Sequence, residues 1–258
     1  MRLRFLGTGT SFGIPQVGCG CEVCHSPDPR DQRSRSAALV EHDGATVLID
    51  TPPELRLQLI RAEVRQVDAV LYTHEHADHI AGIDDLRAFS VLSRQPLAVH
   101  GPAETMARLA RAYEYIFDDD VQPVAGTSKP RLVAHALDAG RTTLVAGLPV
   151  LPLELYHGPM RVFGYRIGPL AYITDVKSVP PAVYPALQGV RVLVLNALWW
   201  RSHPTHLSIP EAITVAQQVG APQTFLTHLT HETGHAALAA ALPPGIAPAY
   251  DGLVVEVS

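Results

Sequence analysis

At 258 residues, 47% of them hydrophobic and 17% charged, the chain can bury a large core and lacks the composition of a disordered segment. A formal net charge of -5 with no run of basic residues excludes a general attraction for polyanions, so no large nucleic acid is expected as a partner. Residues 1–6 are too short for a signal-peptide core, and no stretch reaches the roughly 18 apolar residues of a membrane span; one soluble, cytoplasmic folding unit over residues 1–258 is expected.

Alternating polar and apolar residues predict a strand over 2–6, which runs into Gly7-Thr8-Gly9-Thr10-Ser11. This tight loop either ends the strand or turns its backbone amides toward an anion. Residues 36–40 and 45–49 are apolar runs joined by Glu41-His42-Asp43-Gly44, a hairpin signature, and Asp50 closes the second run. Thr51-Pro52-Pro53-Glu54 opens a helix carrying Leu55, Leu59 and Ile60. A strand over 69–72 follows; 84–93 and 103–117 have helical periodicity, with a strand at 97–100 between them. A β-rich middle occupies 131–136, 142–146, 148–155, 161–167 and 170–174. Strands at 190–195, 224–227 and 253–257 then alternate with helices at 210–219 and 235–241. Without a linker or an internal repeat, this order places sheets in the middle of the molecule and helices outside: an α/β fold.

Thr73-His74-Glu75-His76-Ala77-Asp78-His79 follows the 69–72 strand directly. Packing does not explain three histidines and a carboxylate in six positions, because clustered imidazoles repel once protonated. Neutral imidazoles with a carboxylate are instead preferred ligands of divalent metals such as zinc. His74 and His76 can face one ion while Asp78 and His79, a step further round the turn, face a second. The three cysteines, Cys19, Cys21 and Cys24, are too crowded for a disulfide framework and also have the character of metal ligands.

The run His74-x-His76-x-Asp78-His79 after a strand resembles the hallmark of the metallo-β-lactamase superfamily. The resemblance implies a four-layer αββα sandwich with metals at one sheet edge. It also implies a further histidine, a bridging aspartate and a last histidine at strand ends, which His157, Asp175 and His228 match. His74, His76 and His157 would then hold one divalent ion, zinc or manganese. Asp78, His79 and His228 would hold the other, with Asp175 between them and Asp50 supporting the histidine loop.

Within the superfamily, the PhnP-like phosphodiesterases and PqqB are similar in carrying a Cys-x-Cys-x-x-Cys insertion, here residues 19–24. By that resemblance His231, three positions after His228, completes a structural zinc site with the cysteines; His25 is the competing fourth ligand. His206, 22 positions before His228, matches the leaving-group histidine of the phosphodiesterase branch, which includes tRNase Z, and His203 is its rival. Asp78 and His206 are therefore the candidate catalytic side chains. Trp199 and Trp200 could stack on a base, although core packing is the stronger reading.

Two adjacent ions acidify a shared water and polarise an electrophile, so a metal-dependent hydrolase needing no protein nucleophile is expected. tRNase Z inserts a long arm between the positions matched by His157 and Asp175; here only 18 residues separate them. The expected substrate is a small cyclic or nucleotide-like phosphodiester, with no membrane partner; a homodimer is allowed. Lactone or thioester hydrolysis, or a PqqB-like biosynthetic or binding role, are the rival readings.

Overall fold

A computed structural model describes residues 1–118 and 120–258. Two seven-stranded mixed sheets face one another. In the first, β1 (Arg2–Gly7), β2 (Ala37–His42) and β3 (Ala45–Ile49) form a meander, followed by β4 (Ala69–Leu71), β5 (Leu97–Gly101) and β6 (Leu132–Ala136). The order is β14-β1-β2-β3-β4-β5-β6, with β14 (Val254–Glu256) at the edge; β3 to β6 run parallel. The second sheet has the order β13-β12-β11-β10-β9-β8-β7. Its members are β7 (Thr143–Val145), β8 (Leu148–His157), β9 (Met160–Ile167), β10 (Leu170–Ile173), β11 (Val192–Asn196), β12 (Gln223–Thr227) and β13 (Ile246–Pro248).

Strand alternation decides what each face buries. Leu3, Phe5, Val40, Val47, Ile49 and Leu71 of the first sheet meet Val150, Phe163, Tyr165, Tyr172 and Val194 of the second in one core. The intervening positions, among them Leu39, Leu48, Val70 and Val99, face outward under α1 (Leu55–Arg61), α2 (Ala77–Ile80), α3 (Arg87–Ser93), α4 (Ala103–Ala112) and α5 (Glu114–Phe117). Leu153, Leu155, Ile173, Leu193 and Leu195 do the same on the other side under α6 (Tyr184–Leu187), α7 (Ile209–Val219) and α8 (His235–Ala241). The four layers are α, β, β and α, as the superfamily resemblance implies. Among the described residues, no helix is long and apolar enough to cross a membrane.

Several elements differ from the sequence reading. The helix expected over 103–117 breaks at Tyr113, whose φ of -124° and ψ of 45° separate α4 from α5. The one expected over 84–93 begins as a 3-10 turn, Ile83–Leu86, before α3. The three-residue β13 was not anticipated; it offers too little alternation, and ends in Pro248.

The parallel strands bring their carboxyl ends to one rim, where chemistry-bearing loops collect. Asp50, Asp175 and His228 leave β3, β10 and β12 there with φ of 62°, 53° and 57°. The left-handed backbone turns each side chain sharply off its strand direction.

Candidate metal centre

The expected ligands come together in three groups. His74, His76 and His157 form one; Asp78, His79, Asp175 and His228 a second; Cys19, Cys21, Cys24 and His231 a third. Within each, the potential ligand atoms lie within 4.8 Å of one another. A further grouping of His157, Asp175 and His206 joins the first two.

Each imidazole is oriented by what its other nitrogen does. Asp50, fully buried, accepts from the Thr73 amide at 2.8 Å, from Thr73 Oγ1 at 2.8 Å and from His79 Nδ1 at 2.7 Å. Because Thr73 Oγ1 gives its proton to Asp50, it can accept from His74 Nδ1 at 2.9 Å, which leaves His74 Nε2 facing inward. His157 Nδ1 donates to the Thr205 carbonyl at 2.6 Å. His228 Nδ1 is 3.3 Å from Ser36 Oγ. The second sheet braces the histidine loop: the Phe163 amide donates to the Thr73 carbonyl at 2.9 Å and Tyr165 Oη to the Tyr72 carbonyl at 2.5 Å.

Asp175 stands where the two His/Asp groups meet. Its Oδ1 lies 3.0 Å from His206 Nε2 and 3.2 Å from His228 Nε2; its Oδ2 lies 3.2 Å from His79 Nε2. Burial opposes a charge on His79, yet the carboxylates of Asp175, Asp78 and Asp50 hold its pKa well above the usual value. Burial pushes His74 well below the usual range and His228 down to about 4. The carboxylates of the cluster therefore favour positive charge at its centre. His79 Nε2 is buried 3.4 Å from Asp78 and 3.2 Å from Asp175, yet no oxygen lies in line to accept from it. Neutral imidazole nitrogens and carboxylate oxygens converging on shared space suit divalent cations.

In the cysteine group, His231 Nδ1 lies 3.2, 3.6 and 3.4 Å from the sulfurs of Cys19, Cys21 and Cys24. The Gln16 amide donates to Cys24 Sγ at 3.3 Å and the Cys24 amide to Cys21 Sγ at 3.5 Å, contacts that suit sulfur carrying negative charge. Burial nevertheless pushes the Cys24 thiol up to about 11, so a cation is needed to favour the thiolate. His25 stands apart from this group, with Nδ1 3.2 Å from the Cys21 carbonyl. Buried Arg33 ties the two halves of the site together, donating to the carbonyls of Thr230 at 2.6 Å and Thr233 at 3.4 Å on either side of His231.

One open alternative is narrowed and one expectation does not hold. Of the two readings of the 7–11 loop, the anion cradle is not favoured at its centre: the Gly9 amide donates to the Ser34 carbonyl and the Thr10 amide to the Leu229 carbonyl. Its glycines serve close approach, since a Cβ on Gly7 would sit 2.0 Å from the Arg35 carbonyl oxygen and one on Gly9 2.5 Å from that of Arg33. Nor are the tryptophans core residues: Trp199 is half-buried and Trp200 exposed, its Nε1 donating to Thr233 Oγ1 at 3.0 Å. The sequence reading also missed Thr73, Ser36 and Thr205, which aim the rings of His74, His228 and His157. Only Thr73 carried a signal, by adjoining His74.

Residues 45–229 match the beta-lactamase superfamily domain. The chain belongs to that superfamily. Its His/Asp cluster occupies the strand ends of the shared fold, and the superfamily's divalent metal ions fit the donors found there. A solved structure of the superfamily, a diphosphatase from the PhnP family, is 36% identical and superposes with a TM-score of 0.91, covering 99% of this chain and 97% of that one. An octanoyltransferase of Porphyromonas gingivalis is 39% identical over 98% of this chain and 51% of its own length. A ribonuclease Z of Bradyrhizobium is 31% identical over 45% of this chain and 40% of its length. This chain thus spans about half the length of the first of these curated relatives and 40% of the second.

Proposed function

We propose that this chain is a dinuclear metal-dependent phosphodiesterase acting on a small phosphodiester, with a structural zinc at Cys19, Cys21, Cys24 and His231. The observation that carries the reading is the placement of Asp175 between the two donor groups, with His206 Nε2 at 3.0 Å from it. His74, His76 and His157 would hold one ion and Asp78, His79 and His228 the other, with Asp175 serving both. When bound, the ions would supply Lewis-acid stabilisation of phosphoryl oxygens and an acidified water.

The chain's own residues do the rest. Asp50 and Thr73 keep His79 and His74 in the tautomers that present Nε2 to the centre. His206 Nδ1 is engaged by Thr205 Oγ1 at 3.0 Å and His203 Nδ1 at 3.2 Å, so Nε2 is the atom from which a proton reaches a departing alkoxide. With His157 ending β8 and β9 and β10 filling the interval to Asp175, no segment between them is free to grip a large RNA. That favours a small substrate over the one named by ribonuclease Z. The similar diphosphatase of the PhnP family supports phosphorus as the electrophile.

The octanoyltransferase name belongs to a protein about twice as long, half of it without a counterpart here. Nothing at the cluster favours covalent acyl transfer. The three thiols converge on His231, Lys177 pairs with Glu211 at 2.7 Å, and Lys129 donates to the Asp118 carbonyl.

The test is hydrolysis of bis-(p-nitrophenyl) phosphate against a panel of lactones and thioesters, with metal content measured in parallel. His76→Ala and Asp175→Ala are expected to abolish phosphodiester turnover while preserving circular dichroism. Near-normal turnover in both variants, or faster lactone or thioester hydrolysis, would replace this reading.

A further inference from the structure

His206 and His203 also form one wall of a pocket of about 190 Å³. Its apolar lining is Phe12, Ile14, Leu198 and Trp199, with Gln16 and Thr230 supplying an amide and a hydroxyl. Among the described residues that line it there is no Asp, Glu, Lys or Arg, and its titratable groups are the imidazoles of His203, His206 and His231. An engineered apolar cavity of about 150 Å³ in an unrelated protein takes up benzene, so this space accepts one flat ring system.

The walls are held in place before anything binds. The Arg201 guanidinium lies 3.7 Å over the Trp199 ring and is itself fixed by Glu232 at 2.6 Å; the His203 ring meets Trp199 edge-on at 5.1 Å. The Gly13 amide donates to the Thr10 carbonyl and the Ile14 amide to the Arg33 carbonyl, fixing the loop on the other side. Phe12, at the rim, is 62% exposed, a large apolar ring left without cover.

We infer that this pocket is a stacking subsite for a planar heteroaromatic ring, such as a nucleobase, carried on one ester arm of the substrate. The inference rests on the phosphodiesterase reading: with phosphorus at the metal cluster, the arm on the His206 side reaches the pocket, because His206 belongs to both. Phe12 and Trp199 supply the aromatic walls, while Gln16 and Thr230 meet the polar edge. A second phosphoryl group would meet no Lys or Arg in the lining, whereas an aromatic ring meets Phe12 and Trp199, so the subsite favours base-bearing esters over diphosphates.

Isothermal titration calorimetry of the metal-replete protein with adenosine 5′-monophosphate, ribose 5-phosphate and adenosine tests this without turnover. Base stacking on an aromatic side chain changes affinity by roughly 5- to 100-fold. The monophosphate should bind tighter than ribose 5-phosphate by a factor in that range, and Phe12→Ala or Trp199→Ala should bring the ratio toward one. Val17→Ala, at a 96% exposed position outside the lining, should preserve it. Equal binding of the two phosphates by the wild type, or a ratio unchanged in both aromatic variants, overturns the subsite and spares the phosphodiesterase reading. If adenosine binds, Phe12→Ala weakens it and neither phosphate adds affinity, the subsite stands and the phosphodiesterase reading fails.

Discussion

Replacing Asp50 by Asn tests whether the buried carboxylate sets the ligand atom of His79. In the wild type three donors converge on it: the Thr73 amide, Thr73 Oγ1 and His79 Nδ1. An asparagine keeps one acceptor oxygen. If that oxygen stays with the Thr73 amide, the new NH2 faces His79 and Thr73 Oγ1, two groups that need an acceptor. His79 then keeps both donors in contact, or moves its proton to Nε2 and blocks the proposed ligand atom. Leaving one or two buried donors unsatisfied costs about 1–3 kcal/mol each, so metal-free Asp50→Asn should unfold in urea with roughly 1–6 kcal/mol less stability. Loss of such outer support should also weaken metal binding by about 10- to 100-fold, or roughly 1.4–2.7 kcal/mol. Competition with a chromophoric chelator reads the affinity, and urea unfolding of the stripped protein reads the fold separately. Unchanged affinity in both Asp50→Asn and Asp50→Ala would refute the view that this carboxylate orients the centre.

Cys21→Ser should lower the bound zinc by one equivalent and reduce thermal stability by about 3–4 kcal/mol if the ion is held at 100–1,000 times its Kd. That corresponds to a fall of roughly 10 °C in Tm, and unchanged zinc stoichiometry would exclude the site. His206→Ala should slow phosphodiester hydrolysis by about 10²- to 10⁴-fold for alkyl leaving groups. It should slow p-nitrophenyl esters less, because that leaving group needs little protonation; an equal loss on both would remove the proton-donor role. Asp251 gives a pH signature away from the metals. Burial pushes its carboxyl from 3.8 up to about 6, although Ser34 and Thr8 donate to it. Since the folded value is the higher, its contribution to stability is complete below about pH 4 and is lost as pH rises through 6. A shift of about 2 units at 1.36 kcal/mol each gives roughly 3 kcal/mol. Urea unfolding of stripped protein across that range should show this loss in the wild type and lack it in Asp251→Asn.

The sequence made the centre legible because its parts follow apolar strands. His74, Asp175 and His228 come one to three residues after the ends of β4, β10 and β12, so once His74-x-His76-x-Asp78-His79 had suggested the superfamily, the strand-end positions that the resemblance implies could be matched. The sheets were also readable, since β10 is a continuous apolar run and Ala37–Val40 and Val47–Ile49 are apolar stretches of β2 and β3 that demand cover on both faces. What stayed hidden depends on contacts between segments far apart. Ser36 meets His228 across 192 positions and Arg33 meets Thr230 across 197, and no local spacing announces either. The 7–11 loop stayed open because glycine signals permissive backbone, whether for anion binding or for close approach of a neighbouring segment; only the position of Arg33 and Arg35 decides which.

The left-handed residues at the ends of β3, β10 and β12 bear on how this protein would evolve. Glycine adopts that backbone without penalty, whereas a side chain there costs free energy that the surrounding contacts must offset. Chains freed from selection for catalysis would therefore drift toward glycine at positions 50, 175 and 228. Glycine at all three would mark a descendant that had kept the sandwich and given up its chemistry.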